Sequence, residues 1–156
     1  MALLNIIQCV LTCVGIGFAI SSTVGNSWWK QELSDNSIHA GLWNLCNLYT
    51  CVFMSNVPNF LTVTRAFMIT GCVSYFVAFV LSFLTYSKKI KNPKISGTLL
   101  CATAIFMAVG ISVYTNNTDG LVYSWSYIFG WCSFVISIVS AIICFVMKVE
   151  TEYLQI

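Results

Sequence analysis

The stretch AFMITGCVSYFVAFVLSFLTYS, Ala66 to Ser87, runs for 22 residues without one charged side chain. A bilayer core is about 30 Å thick, and a helix rising about 1.5 Å per residue crosses it in about 20 residues. The stretch is one crossing long and too short for two. Three more charge-free runs flank it: Met1–Trp29 (29 residues), Ile95–Thr118 (24) and Gly120–Met147 (28). Each run holds one helix, which predicts four, over residues 3–25, 66–86, 95–114 and 127–147. The N-terminal run lacks a basic region ahead of its apolar part and is long for a cleavable signal, so it reads as a retained helix.

Composition agrees. Only 8% of the 156 residues are charged and 58% are hydrophobic, whereas a soluble domain carries about a quarter charged. A water-exposed globule and a disordered chain are excluded. A net charge of +2 offers no field for nucleic acid, so none is expected as a partner. The fold class is an all-α membrane protein, a bundle of four transmembrane helices forming a single domain over residues 1–156.

Basic residues set the orientation. Lys88, Lys89, Lys91 and Lys94 crowd the loop 87–94, and Lys148 opens the tail 148–156. The segment 26–65 carries only Lys30 and Arg65. The positive-inside rule places the lysine loop and both termini in the cytoplasm. Residues 26–65 and 115–126 then form the extracellular loops, as in a multi-pass plasma-membrane protein. Trp28, Trp29, Trp43, Trp125 and Trp131 fall on the outer side, where indole suits the interface. The lysines can also touch anionic inner-leaflet lipid, at about 1 kcal/mol each.

Small residues recur every fourth position: Cys13, Gly17, Ser21 and Gly25, then Ser74, Ala78 and Ser82. Ala104, Ala108 and Ser112 follow, and then Ser133, Ser137 and Ala141. Helices in lipid associate through close approach at such positions. One stripe per helix predicts inward packing within a single bundle.

No Asp, Glu, Lys, Arg or His lies inside a predicted span, and proton relays and ion-coupled transporters need such groups there. The one histidine, His39, is in the outer loop. A Ser-His-Asp triad or a His/Cys metal centre lacks parts, and no glycine-rich phosphate loop is present. The expectation is no enzyme, no metal and no cofactor. A pore also needs a polar stripe along some span, and none stands out.

Of eight cysteines, Cys9, Cys13, Cys72, Cys101, Cys132 and Cys144 lie in or beside the predicted helices, where a thiol acts as a small apolar residue. Cys9, Cys13 and Cys144 lie near enough the cytoplasmic face to be candidates for acylation. Cys46 and Cys51 are the only pair in the outer loop, in an oxidising compartment, and a disulfide is expected. Closing so small a ring removes about 2 kcal/mol of unfolded-chain entropy. A metal site would need two further ligands, and the loop offers only His39. Trp28-Trp29, Gly41-Leu42-Trp43, Leu45 and Val52-Phe53-Met54 give this loop the character of a small sheet lying on the helix ends.

The string Trp28…Gly41-Leu42-Trp43…Cys46…Cys51 resembles the W…GLW…C…C signature of the claudin, peripheral myelin protein and epithelial membrane protein superfamily. The C-x4-C gap is narrower than in true claudins and resembles the epithelial membrane proteins and the lens-fibre branch. His39-Ala40-Gly41-Leu42-Trp43, Thr64-Arg65-Ala66-Phe67-Met68-Ile69, Ile111-x-Val113-Tyr114-Thr115 and Ser124-Trp125-Ser126-Tyr127-Ile128-x-Gly130-Trp131 look most like that branch. The resemblance implies a four-helix bundle capped by an extracellular antiparallel β-sheet, built mostly from the first outer loop. It implies that Trp28 and the Gly41-Leu42-Trp43 turn pack where sheet meets membrane. Arg65, atop the second helix, would hydrogen-bond to nearby carbonyls. The second outer loop is short, which argues against claudin-type strands.

The function that follows is non-enzymatic: organising cell–cell contact or membrane domains through the extracellular sheet and the helix faces. Its partners would be the lipid bilayer and itself or related tetraspans. The alternative is an auxiliary tetraspan subunit regulating a channel, receptor or integrin in the same membrane. Asn116-Asn117-Thr118 is the one sequon and makes Asn116 a candidate glycosylation acceptor, although it sits hard against a helix end. In the tail, Leu154-x-Ile156 suits a PDZ groove, and Tyr153-Leu154-Gln155-Ile156 suits a sorting adaptor, each reading an extended peptide.

Overall fold

The computed structural model describes residues 2–33, 36–47, 49–87, 93–118 and 120–153. Four long helices dominate: α1 (Ala2–Val24), α2 (Asn59–Tyr86), α3 (Lys94–Asn116) and α4 (Trp125–Tyr153). All four are long and apolar enough to cross a membrane. They pack in a ring in which each touches the next and α4 closes on α1. The C-termini of α1 and α3 and the N-termini of α2 and α4 share one end, so neighbours are antiparallel.

Two boundaries differ from the sequence reading for physical reasons. α2 starts at Asn59, seven residues ahead of position 66, because Pro58 holds an extended backbone (φ −57°, ψ 152°) and the residues after it contain no breaker. Arg65 therefore lies inside α2. α4 runs on to Tyr153 rather than stopping at 147. Lys148–Tyr153 contains no glycine or proline to interrupt an established helix. The extended tail beginning at 148 is thus corrected: Tyr153 is helical, and Leu154 and Ile156 lie outside the described residues. So do Lys88, Lys89 and Lys91.

The sheet caps one end. Strands β1 (Trp29–Leu33), β2 (Asn36–Ala40), β3 (Asn44–Cys46), β4 (Cys51–Phe53) and β5 (Val122–Tyr123) are arranged β4-β3-β2-β1-β5. Every pairing is antiparallel, from Trp29↔Ala40 through His39↔Cys46 to Cys46↔Cys51. β5 comes from the second connection, which reads as plain loop in the sequence. It pairs Trp29↔Tyr123 and Lys30↔Val122. Two residues are too few to show a period, so β1 creates this strand by offering an open edge. Cys46 and Cys51 are joined, closing the β3–β4 hairpin. Inside that hairpin Asn47 Oδ1 accepts the Tyr49 and Thr50 backbone amides at 3.0 and 2.8 Å, an Asx turn.

The small-residue stripes divide. Ser133, Ser137 and Ala141 of α4 and Ala78 and Ser82 of α2 are buried as expected of packing positions. On α3, Ala104 is buried but Ser112 is exposed. On the α1 stripe Gly25 is buried, but Cys13 and Gly17 face outward, and a Cβ on Gly17 would meet nothing within 4 Å. α1 instead turns Gln8, Thr12, Gly15, Ala19 and Ser22 inward. Gly15 is the decisive one, because a Cβ there would overlap the hydroxyl of the wholly buried Tyr75. The inward set steps alternately by four and three rather than strictly by four, and bulk on the partner helix fixes the face.

α4 also carries a polar stripe that the sequence reading does not credit. Ser126, Ser133, Ser137 and Ser140 are all 0% exposed. Ser133 Oγ donates to the Gly15 carbonyl at 3.3 Å, and Ser137 Oγ to its own helix at Phe134 O, 2.7 Å. All four side chains are buried, and the Ser126 and Ser140 hydroxyls are so without a hydrogen-bond partner.

The disulfide makes a direct test. Denatured protein without reductant is expected to take up six maleimides, for the six free cysteines, and eight after reduction. Uptake of eight at the outset would show the hairpin open.

Candidate functional site

The junction between sheet and bundle is built from the end of α1. A helix leaves its last four carbonyls without internal partners, here Ser21 to Val24. Gly25 N–H donates to Ser21 O at 3.0 Å. The Trp28 indole Nε1 donates to Ser22 O at 2.7 Å, and the Trp43 indole Nε1 to Thr23 O at 2.7 Å. Two tryptophans from separate segments thus cap one helix. Indole suits the task because it brings one donor on a large apolar body.

Each tryptophan is fixed in turn. Trp28 is 0% exposed, with its ring 4.6 Å from Tyr114 and 5.9 Å from Tyr127, both edge-on. Its backbone N–H donates to Ala40 O, and its carbonyl accepts from Ser124 N–H. Trp28 therefore ties α1, β2, α3 and α4 together. Tyr127 stacks on Tyr123 of β5 at 4.1 Å, so the second connection is held against the same cluster.

Trp43 faces Arg65. The guanidinium carbon lies 4.7 Å from the Trp43 ring centre. Arg65 Nε donates to Leu42 O at 2.8 Å and an Nη to Met54 O at 3.3 Å. One planar fork thus bridges the turn before β3 and the segment after β4 while stacking on the indole between them. Lysine cannot reproduce that geometry.

Gly41 and Gly25 make the approach possible. A Cβ on Gly41 would overlap the Gly25 carbonyl oxygen and crowd the Asn26 Cα. A Cβ on Gly25 would overlap the Ser126 hydroxyl. Leu42, 0% exposed, fills the space beneath the turn.

The structure brings Trp28, Gly41, Leu42, Trp43 and Arg65 into one site, with the disulfide Cys46–Cys51 two strands out from β1. Asn116 is elsewhere, as the exposed last residue of α3. Sequence reading quoted Tyr114 and Tyr127 only within family motifs, without a site role, and missed Tyr123. Their cue was the wealth of tyrosine at the ends of the third and fourth helices. It also passed over the β3–β4 hairpin as a surface. There Leu45, Tyr49, Val52 and Phe53 are 42%, 87%, 63% and 60% exposed. Leu45 and Val52 are register partners and therefore share a face. Among the described residues, no three His, Cys, Asp or Glu side chains gather as a metal site.

Truncating the donors should cost stability in proportion. Trp28→Phe and Trp43→Phe each remove one indole donor and are expected to cost about 1–2 kcal/mol. Arg65→Met should cost about 2–3 kcal/mol, and Arg65→Lys most of that. Thermal unfolding in detergent reads the series, with Ile128→Ala at an exposed helical position as the control. A flat series would refute the capping role.

Comparison with known proteins agrees with this arrangement. The PMP-22/EMP/MP20/Claudin family matches residues 1–146. Lens fiber membrane intrinsic protein of Rattus norvegicus is 24% identical over 147 residues, covering 85% of this chain and 85% of that protein. Claudin domain-containing protein 2 of Homo sapiens is 28% identical across 88% of this chain and 82% of its own length. Claudin-18 of Mus musculus is 26% identical over 72% of this chain but 51% of itself. With the match running through all four helices and the sheet, the chain belongs to the PMP-22/EMP/MP20/Claudin family.

Proposed function

We propose that this protein is a non-enzymatic organiser of cell–cell contact, acting through its sheet at the outer face of the plasma membrane. The orientation rests on the lysine-rich loop 87–94, which places the sheet outside and both termini in the cytoplasm. The observation that carries the reading is the β3–β4 hairpin. It presents Leu45, Tyr49, Val52 and Phe53 to solvent on a strand pair closed by a disulfide. No charged residue occurs from Ala40 to Thr64. An exposed apolar tip on a rigid base suits a surface that binds another protein.

A second reading has one observation in its favour. The outward Cys13 and Gly17 of α1 leave a shallow strip where another helix can approach closely in the same membrane. An auxiliary subunit beside a channel, receptor or integrin would use that strip and leave the hairpin idle.

Two smaller readings accompany the first. Asn116 ends α3, and the Thr118 hydroxyl of its sequon donates back to Tyr114 O at 2.8 Å. An acceptor so close to the membrane should stay unglycosylated, and glycosidase should leave the mobility unchanged. At the tail, adaptor recognition of Tyr153 as an extended peptide has to compete with the end of α4, whereas the PDZ residues Leu154 and Ile156 lie outside the described residues.

Mixing cells that express differently tagged copies tests the main reading. Capture across the cell boundary is expected, and Val52→Asp or Phe53→Asp should lower it about tenfold, the effect of some 1.4 kcal/mol. The Cys46–Cys51 bond should persist in both variants. Capture only between copies in one cell, unaffected by either change, would favour the auxiliary role.

A further inference from the structure

Gln8 stands in the second turn of α1, inside the apolar span Leu3–Val24, and is 2% exposed. Its carboxamide can accept at Oε1 and donate twice from Nε2, yet neither atom has a hydrogen-bond partner. The buried threonines of the spans behave differently. Thr12, Thr23 and Thr103 each return the hydroxyl to the carbonyl four residues back, at 2.9, 2.8 and 2.9 Å. Hydrocarbon surrounds the bundle at this depth, and a carboxamide left unmet there is costly.

The register of the bundle shows what lies level with Gln8. Ser133 Oγ donates to the Gly15 carbonyl, which fixes α4 against the antiparallel α1. Seven residues along each helix, about two turns, Gln8 comes level with Ser140. A Cβ on Gly15 would overlap the Tyr75 hydroxyl, which fixes α2 in the same way. Seven residues on, Gln8 is level with Ser82, whose Oγ meets Ser96 Oγ of α3 at 2.7 Å. Every helix therefore brings one buried polar side chain to this level: Gln8, Ser82, Ser96 and Ser140.

Proton counting separates the met groups from the unmet. Ser96 donates its one proton to Ala78 O at 3.1 Å, so Ser82 has to donate to Ser96. That pair has no proton left for Gln8. The Ser140 hydroxyl, 0% exposed, has no partner either. A rotamer change that joined Ser140 to Gln8 would satisfy one end of the carboxamide and leave the other. A ligand that both donates and accepts satisfies both ends, and water is the smallest that does.

We propose that this level of the bundle is a water-binding site, with bound water donating to Gln8 Oε1, accepting from Gln8 Nε2 and bridging to Ser140 Oγ. The site lies toward the end of the bundle opposite the sheet, separate from the junction and the hairpin, and holds for either orientation of the chain in the membrane.

The test uses the full chain in phosphatidylcholine liposomes, with nitrogen-15 only in glutamine side chains. The chain has three glutamines, Gln8, Gln31 and Gln155. Gln31→Glu and Gln155→Glu assign two of the signals and identify Gln8 without touching the core. Magic-angle-spinning NMR then reads magnetisation passed from water to each amide. Gln8 should receive transfer comparable to that at the exposed Gln31 despite its burial. Ser140→Ala should lower the Gln8 transfer about threefold by removing one of the water's partners, whereas Ser112→Ala, at an exposed position of α3, should leave it unchanged. The first readout needs no core variant, so misfolding of S140A leaves it intact. No transfer at Gln8 would mean that the carboxamide is met by protein groups and would overturn the site. Transfer that Ser140→Ala leaves unchanged would mean water entering from bulk rather than held at this level, and would overturn it as well.

Discussion

The open carbonyls at the end of α1 are the constraint on which the junction depends. A helix that stops near the membrane surface exposes acceptors where water is scarce, and each unmet one costs free energy. Here two indole N–H groups meet two of them. Because the indoles belong to residues 28 and 43, satisfying the helix also fixes both ends of the β1–β2 hairpin. The sheet cannot rotate on the bundle without breaking the cap. Gly25 and Gly41 follow from the same demand, since their backbones meet where any Cβ would collide.

Arg65 extends the constraint to α2. Its charge is tolerable because Leu42 O, Met54 O and the Trp43 face replace much of the water it gives up. Had α2 begun at residue 66, the guanidinium would have sat on a flexible loop. Seven residues inside the helix, its base is rigid, so its two acceptors hold the irregular segments on either side of β3 and β4. The α3–α4 half is joined by rings as well as by backbone hydrogen bonds from Ser124 and Ser126 to Trp28 and Ser27. Trp28 touches Tyr114 and Tyr127, and Tyr127 carries β5 through Tyr123. Polar bonds thus fasten the sheet to α1 and α2, and aromatic contacts together with backbone bonds from Ser124 and Ser126 fasten it to α3 and α4.

Much of this was legible in the sequence, and the limits have physical causes. Four charge-free runs gave four helices because bilayer thickness leaves no other solution. The Cys46–Cys51 bond was legible because no third cysteine competes in that loop. Arg65 and the Gly41-Leu42-Trp43 turn were legible as a group only through the family resemblance. Nothing in their spacing says that Trp43 caps α1 while Arg65 stacks behind it. The faces of α1 were read wrongly, since small residues recur both at Cys13, Gly17 and Ser21 and at Thr12, Gly15 and Ala19. What selects between them is Tyr75, on another helix and 60 residues beyond Gly15. β5 was invisible for a related reason, because its pairing partner, not its own two residues, makes it a strand.

A sheet fastened at so many points has consequences for what its far edge can do. β1 is locked to the bundle, β2 and β3 follow by pairing, and β4 is carried outward on the disulfide. The backbone that carries the hairpin's apolar side chains is therefore already held in place. Association costs free energy for each side chain and loop that must be ordered, and a pre-ordered tip avoids most of that cost. Under the proposed contact role, a short surface can then suffice. Sheet and bundle are thus held as one body by the indole caps on α1 and the Arg65 fork on α2.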